Sequence, residues 1–247
     1  MFTREERERL RTTLVTAARA DKRITGAALT GSAARDGEDE WSDIDLAFGV
    51  RDAGLLHQTL DDWTSRMVED HGALATFDVT RGNAVYRVFF LRNTLQVDLA
   101  FFPASEFGAL APTFRLLFGE SVELPHVPSP RAENLIGMAW LHAIHARSCI
   151  KRGKHWQAEY MISAVRDHAL ALAALRLGLP AAEGRGTDQL PQEITRPLEG
   201  ALVRTLVARE LSRAFAVAVA GLLSEVHHAD HSLAARLEGP LTELTAP

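Results

Sequence analysis

The chain has 247 residues, 47% hydrophobic and 24% charged, with a formal net charge of −5. This is an ordinary globular composition, long enough for a sizeable core, and its acidic balance argues against wrapping a long nucleic acid, which takes an extended basic surface. The single cysteine, Cys149, excludes an internal disulfide. It leaves the cytoplasm as the expected compartment.

Residues 3–20 read as an amphipathic helix, with Leu10, Leu14, Val15 and Ala18 at helical spacing and Glu5 and Glu6 near its positive end. This charged start has no signal-peptide pattern. Residues 24–30 form a short strand, after which Gly31-Ser32 turns the chain into a short helix beginning near Ala33. Residues 36–40 are an acidic, solvated loop, and Trp41 is expected to pack against the helix that follows Gly31. Residues 43–48 are a second strand. Residues 53–71 are a helix whose Leu56, Leu60, Trp63 and Met67 face the core.

Three strands follow, at residues 74–80, 84–92 and 95–102, joined by Arg81-Gly82-Asn83 and Asn93-Thr94 as hairpin turns. Arg87 is expected to be an exposed strand residue, and Pro103 ends the last strand. A short helix is expected over residues 105–110. Residues 124–130, LPHVPSP, carry three prolines and make the best linker in the chain.

Beyond the linker the strand patterns vanish. Helices are expected at residues 131–152 and 154–177, the second stopped by Gly178 and Pro180. After a loop at 181–191 come a long helix at 198–226, with Arg204, Arg209 and Arg213 on its polar side, and a short helix at 232–237. Its most apolar part, residues 214–223, is too short to span a bilayer. The expected fold class is α+β: a mixed-sheet domain over residues 1–124, then an α-helical bundle domain over residues 131–247.

One stretch carries the chemistry. In Asp43-Ile44-Asp45, at the head of a strand, the side chains alternate between faces, so Asp43 and Asp45 share one face. Two carboxylates side by side repel unless a divalent cation lies between them, and hard oxygen ligands suit Mg²⁺. Asp98 lies opposite the apolar face of Val97, Leu99 and Phe101, and is costly there unless paired or ligating. If the two strands are neighbours, three carboxylates converge and can hold two divalent ions.

Gly31-Ser32, then Asp43-x-Asp45, then a lone Asp98 on a later strand resembles the DNA polymerase β-like nucleotidyltransferase superfamily. Arg35, three residues after Ser32, also fits. One departure is visible: the family often has Gly directly after that Arg, whereas here Asp36 intervenes before Gly37. The resemblance implies a transferase that moves a nucleoside monophosphate, AMP from ATP, onto a hydroxyl and releases pyrophosphate. In that reading Asp43 and Asp45 hold Mg²⁺ against the triphosphate. Asp98 binds the catalytic ion of the pair and helps to activate the acceptor oxygen. Gly31, Ser32 and Arg35 belong to the nucleotide site.

The α/β part followed by a bundle is similar to the antibiotic-modifying members. These imply a small-molecule acceptor such as an aminoglycoside or lincosamide, hence antibiotic resistance, and a helical Glu as base, for which Glu159 is the candidate. Implied partners are a nucleoside triphosphate and that acceptor, with no long nucleic acid and no membrane; monomer and homodimer both stay open. The alternative is an antitoxin-like member that binds or AMPylates a partner protein. His142 with His145, and His227, His228 and His231, have spacings seen in zinc sites but lack a Cys or acidic partner at firm spacing. They are read as solvated or core-edge residues.

Overall fold

A computed structural model describes residues 1–246. The chain divides into two compact units, Met1–Val127 and Pro128–Pro247. The first is an α+β unit with a mixed six-stranded sheet and the second is helical. Among the described residues no helix is long and apolar enough to cross a membrane.

The first unit opens with helix α1, Arg4–Ala20, started by a capping box in which Thr3 and Glu6 exchange side-chain and backbone hydrogen bonds. Strands β1 (Ile24–Thr30) and β2 (Ile44–Val50) pair antiparallel, with Leu29 opposite Leu46. Helix α2, Leu56–Glu69, follows. Then come β3 (Ala73–Arg81), β4 (Ala84–Leu91) and β5 (Gln96–Pro103), a meander by register. Strand β5 returns beside β2 as the sheet's parallel pair, and the strand order is β3-β4-β5-β2-β1-β6.

Alternation along these strands gives the sheet two faces of different character. One buries Leu29, Leu46, Phe48, Leu99 and Phe101 with Leu14 of α1 and Leu60, Trp63 and Met67 of α2. The opposite face carries the small residues Ala28, Ala47 and Ala100, packed with Phe102 and Phe107.

The expectations for residues 105–110 and for Arg87 fail. Residues 105–110 are not a helix; only a single 3-10 turn forms, at Ala104–Glu106, and an edge strand β6 (Phe114–Gly119) pairs with β1 beyond it. Arg87 is not an exposed strand residue. It lies on the helix-covered face, donates to both carboxylate oxygens of Asp78 at 2.7 Å, and reaches the Thr64 hydroxyl on α2 at 2.8 Å.

The second unit has its own core. Helices α3 (Ala132–Lys151) and α4 (His155–Arg176) are separated by Gly153, whose φ of 66° ends α3. The expected helix over 198–226 is two: α5, Gln192–Glu199, and α6, Ala208–Ala229. Side chains of α6 hold the break. Arg213 donates to the carbonyls of Gly200 and Leu202, and the Glu210 carboxylate accepts from the Arg204 backbone N–H at 3.1 Å. Helix α7, His231–Leu244, is longer than the short helix expected.

Candidate active site

The parallel pairing of β2 and β5 sets Asp45 directly opposite Asp98. Both therefore project from the same face, away from α1 and α2. Asp43, two residues earlier, joins them. One oxygen from each of Asp43, Asp45 and Asp98 lies within 4.8 Å of the other two, and all three residues are half-buried.

Gln96, on the same face of β5 two residues before Asp98, donates its amide to Asp98 Oδ1 at 3.0 Å and to Asp43 Oδ2 at 3.4 Å. Burial pushes the Asp98 carboxyl up from the usual carboxylate range, and the Asp43 charge adds to it, against the pull of the Gln96 hydrogen bond. Three oxygen-donor side chains of like charge at this spacing fit a hard divalent cation, and this donor set suits Mg²⁺ over a soft metal.

The turn after β1 presses against the same group. Gly31 has φ of 60°, and a Cβ there would collide with the Asp45 carboxylate. The position thus needs glycine twice, for its left-handed backbone and for close approach. Ser32 begins the 3-10 turn Ala33–Arg35 without using its hydroxyl as a cap, and its carbonyl accepts from the N–H of Arg35 and of Gly37. Arg35 ends that turn, exposed. Asp36, the departure from the family pattern, has φ of 54° and ψ of 29°. It takes the left-handed conformation that glycine adopts readily and Asp tolerates better than most residues. Its carboxylate pairs with Arg115 of β6 at 2.7 Å.

The acidic segment before Asp43 is solvated as expected at Asp36, Gly37, Asp39 and Glu40, but α1 holds it through half-buried Glu38 and through backbone carbonyls. Arg7 of α1, fully buried, donates to the carbonyls of Asp39 at 2.6 Å and Ser42 at 3.0 Å and lies 3.6 Å from Glu38. Arg11 holds Glu38 at 2.6 Å. The Asp39 carboxylate accepts from the Trp41 backbone and the Ser42 hydroxyl. Trp41 does not pack against the turn after Gly31; it is 70% exposed.

The reading from sequence missed Arg7 and Gln96. The signal for Arg7 was its place on the same helical stripe as Leu14 and Ala18, where an arginine needs a buried partner. The signal for Gln96 was its two-residue offset from Asp98 on a strand.

Glu159 lies on α4 of the second unit and is not one of the converging carboxylates; it accepts from the Ser163 hydroxyl at 2.8 Å. The histidines divide into two groups. The His142 and His168 rings lie tilted to each other with centroids 5.3 Å apart, and the charged form of each is disfavoured by burial and then by a neighbouring histidine. His227 and His231 have ring nitrogens 3.2 Å apart.

No protein-family model and no curated protein matches the chain. Among solved structures it is similar to an aminoglycoside 6-adenyltransferase from Bacillus subtilis, at 12% identity and a TM-score of 0.43, with all of both chains covered. It is also similar to a nucleotidyltransferase-like protein from Exiguobacterium sibiricum, at 16% identity and a TM-score of 0.36, with 90% of this chain and 76% of that one covered. Likeness at this level assigns no residue a role, so the chemistry has to be read from the carboxylates.

Proposed function

We propose that the chain is a Mg²⁺-dependent nucleotidyltransferase that moves AMP from ATP to a hydroxyl of a small molecule and releases pyrophosphate. The observation that carries this is the convergence of Asp43, Asp45 and Asp98 on one open sheet face, beside a glycine turn that abuts Asp45. When bound, two Mg²⁺ ions neutralise the triphosphate and make the acceptor hydroxyl more acidic.

The chain's own part is positional. Asp43 and Asp45 offer oxygens on the triphosphate side, next to the Gly31-Ser32 turn, whose backbone N–H groups and free-standing hydroxyl suit phosphate oxygens. Arg35 supplies a further cation for the nucleotide. Asp98 holds the acceptor side. Its raised affinity for a proton without metal is what burial next to a second carboxylate produces, and a dication reverses it. The role of Glu159 as acceptor base rests on the family resemblance.

The test is incubation with α-phosphate-labelled ATP, Mg²⁺ and a panel of hydroxyl-bearing antibiotics. Label is expected on a small molecule, with transfer lowered at least about a thousandfold in Asp43→Asn, Asp45→Asn and Asp98→Asn. Undiminished transfer in those variants would remove the metal assignment. Glu159→Gln is judged separately: a near-normal rate takes it out of the mechanism.

A further inference from the structure

Asp98 has two cross-strand neighbours. On one side is Asp45, which the Gly31 turn abuts. On the other is Val88 of β4, and opposite Val88 on β3 stands Phe77. Directly opposed residues share a face, so the carboxylate face continues outward from Asp98 through Val88 to Phe77.

Neighbouring positions extend this surface. Phe90 is opposite Gln96, the residue that hydrogen-bonds Asp98, and Val79 is opposite Tyr86. Phe77 is 69% exposed, and Val79 and Phe90 are each 49% exposed. Strands lie about 4.8 Å apart, so Phe77 stands roughly 10 Å from Asp98 across the sheet, within the span of one small molecule. An apolar surface of this kind, continuous with a reacting centre, marks a place where something binds.

Its charge content decides what binds. On this face β3 and β4 carry two ionisable groups, the Tyr86 phenol and, at the far end opposite Ala84, the exposed Arg81, and neither is an anion that would hold an ammonium group. Burial pushes that phenol further up, which keeps it neutral. The charged residues Asp78 and Arg87 point to the other face, paired with each other. A polycationic acceptor would therefore lay ammonium groups on phenylalanine and valine, with carboxylates at one end only.

We propose that β3 and β4 form the acceptor platform, and that the acceptor is a hydroxyl compound with at most one positive charge and an apolar flank that covers Phe77 and Phe90. This rests on the nucleotidyl-transfer reading, since it takes the side of Asp98 away from the Gly31 turn as the acceptor side.

The experiment has two readouts, both on the full chain. The first is fluorescence of N-phenyl-1-naphthylamine, an uncharged apolar probe, against wild type, Phe77→Ser, Phe90→Ser and, as a control on α2, Val68→Ser. The second is label transfer from ATP to lincomycin, singly charged with an alkyl flank, and to kanamycin, a polycation. The expected result is probe binding weakened about tenfold or more in both Phe variants and unchanged in Val68→Ser. Lincomycin displaces the probe and becomes labelled. Its KM rises about tenfold in the Phe variants, while the KM for ATP holds.

Probe binding untouched by Phe77→Ser and Phe90→Ser overturns the platform even if label transfer occurs. So does preferential labelling of kanamycin, or a wild-type dimer that Phe77→Ser dissolves with acceptor KM unmoved. Absence of Mg²⁺-dependent ATP binding in wild type, measured by calorimetry, defeats the nucleotidyl-transfer reading and the platform's role with it.

Discussion

At the scale of single residues, the site depends on close approach as much as on charge. Gly31 is the sharpest case, because an added methyl group meets the Asp45 carboxylate and a left-handed φ has to be kept. Gly31→Ala is expected to lower transfer about a hundredfold or more by displacing Asp45, with about 1–2 kcal/mol lost from stability. Steady-state rates and a urea midpoint separate the two effects; a normal kcat would mean that the Asp45 position does not matter. That Asp43 and Asp45 share a face was legible from their two-residue spacing, and Asp98 stood out as a lone carboxylate in an apolar strand. The mutual distance of the three was not legible, since it depends on β5 returning parallel to β2, which no local pattern encodes. Asp36 was legible only as a departure. That it takes a left-handed backbone conformation is visible in the φ angle alone.

At the scale of elements, α1 does more than cover the sheet. Its buried Arg7 clamps two carbonyls of the segment that delivers Asp43. Arg7→Met keeps the apolar stem and leaves both carbonyls without their donor, so a loss of about 3 kcal/mol is expected. A reduced kcat should accompany it, because Ser42 and Asp43 are adjacent. A denaturation midpoint and a Mg²⁺-saturated rate check the pair of effects; loss of stability with full kcat would make Arg7 a purely structural residue.

The end of α1 gives a pH prediction. Asp21 accepts from the side chain and the backbone N–H of Arg23 and from the Trp63 indole N–H of α2. The Arg23 guanidinium, outweighing the cost of burial, holds its carboxyl down at about 2, against 3.8 unfolded. The unfolded chain takes up this proton first as pH falls. The contribution, about 2 kcal/mol by linkage, is therefore complete above pH 3.8 and lost as pH drops from there towards 2. Asp21→Asn should flatten that part of the stability–pH curve; an unchanged curve would assign acid sensitivity elsewhere. Most strands and helices of this unit were readable because period two and period three-to-four patterns are clean there. Strand β6 was not, since it is an edge strand half-exposed along its length, with no alternation to read. The long apolar period at 198–226 concealed a break because Arg213 and Glu210 supply hydrogen bonds that replace helical ones.

At the scale of the whole molecule, the proposed function requires a chain of net charge −5 to bind a polyanionic nucleotide beside three carboxylates. Coulomb repulsion makes ATP alone a poor ligand, so its affinity should depend steeply on Mg²⁺. The same cluster stores repulsion in the metal-free protein, where Asp98 feels both burial and the Asp43 charge. Neutralising one member should therefore stabilise the metal-free fold while removing the reason for the cluster, a trade of stability against function. Asp98→Asn is expected to raise the melting temperature in EDTA by a few degrees, corresponding to roughly 1 kcal/mol. In wild type, Mg²⁺ at a hundredfold excess over its Kd should add about 2–3 kcal/mol, because it binds the folded cluster and not the unfolded chain. In Asp98→Asn most of that gain should disappear. The second unit has a separate core, so unfolding need not be a single step, and the shift is read on whichever transition responds to Mg²⁺. A thermal scan of both proteins, with EDTA and with Mg²⁺, makes the comparison. If Asp98→Asn melts lower than wild type in EDTA and still gains fully from Mg²⁺, the three carboxylates are held together by the fold's own bonds and the cation is not what they were assembled for.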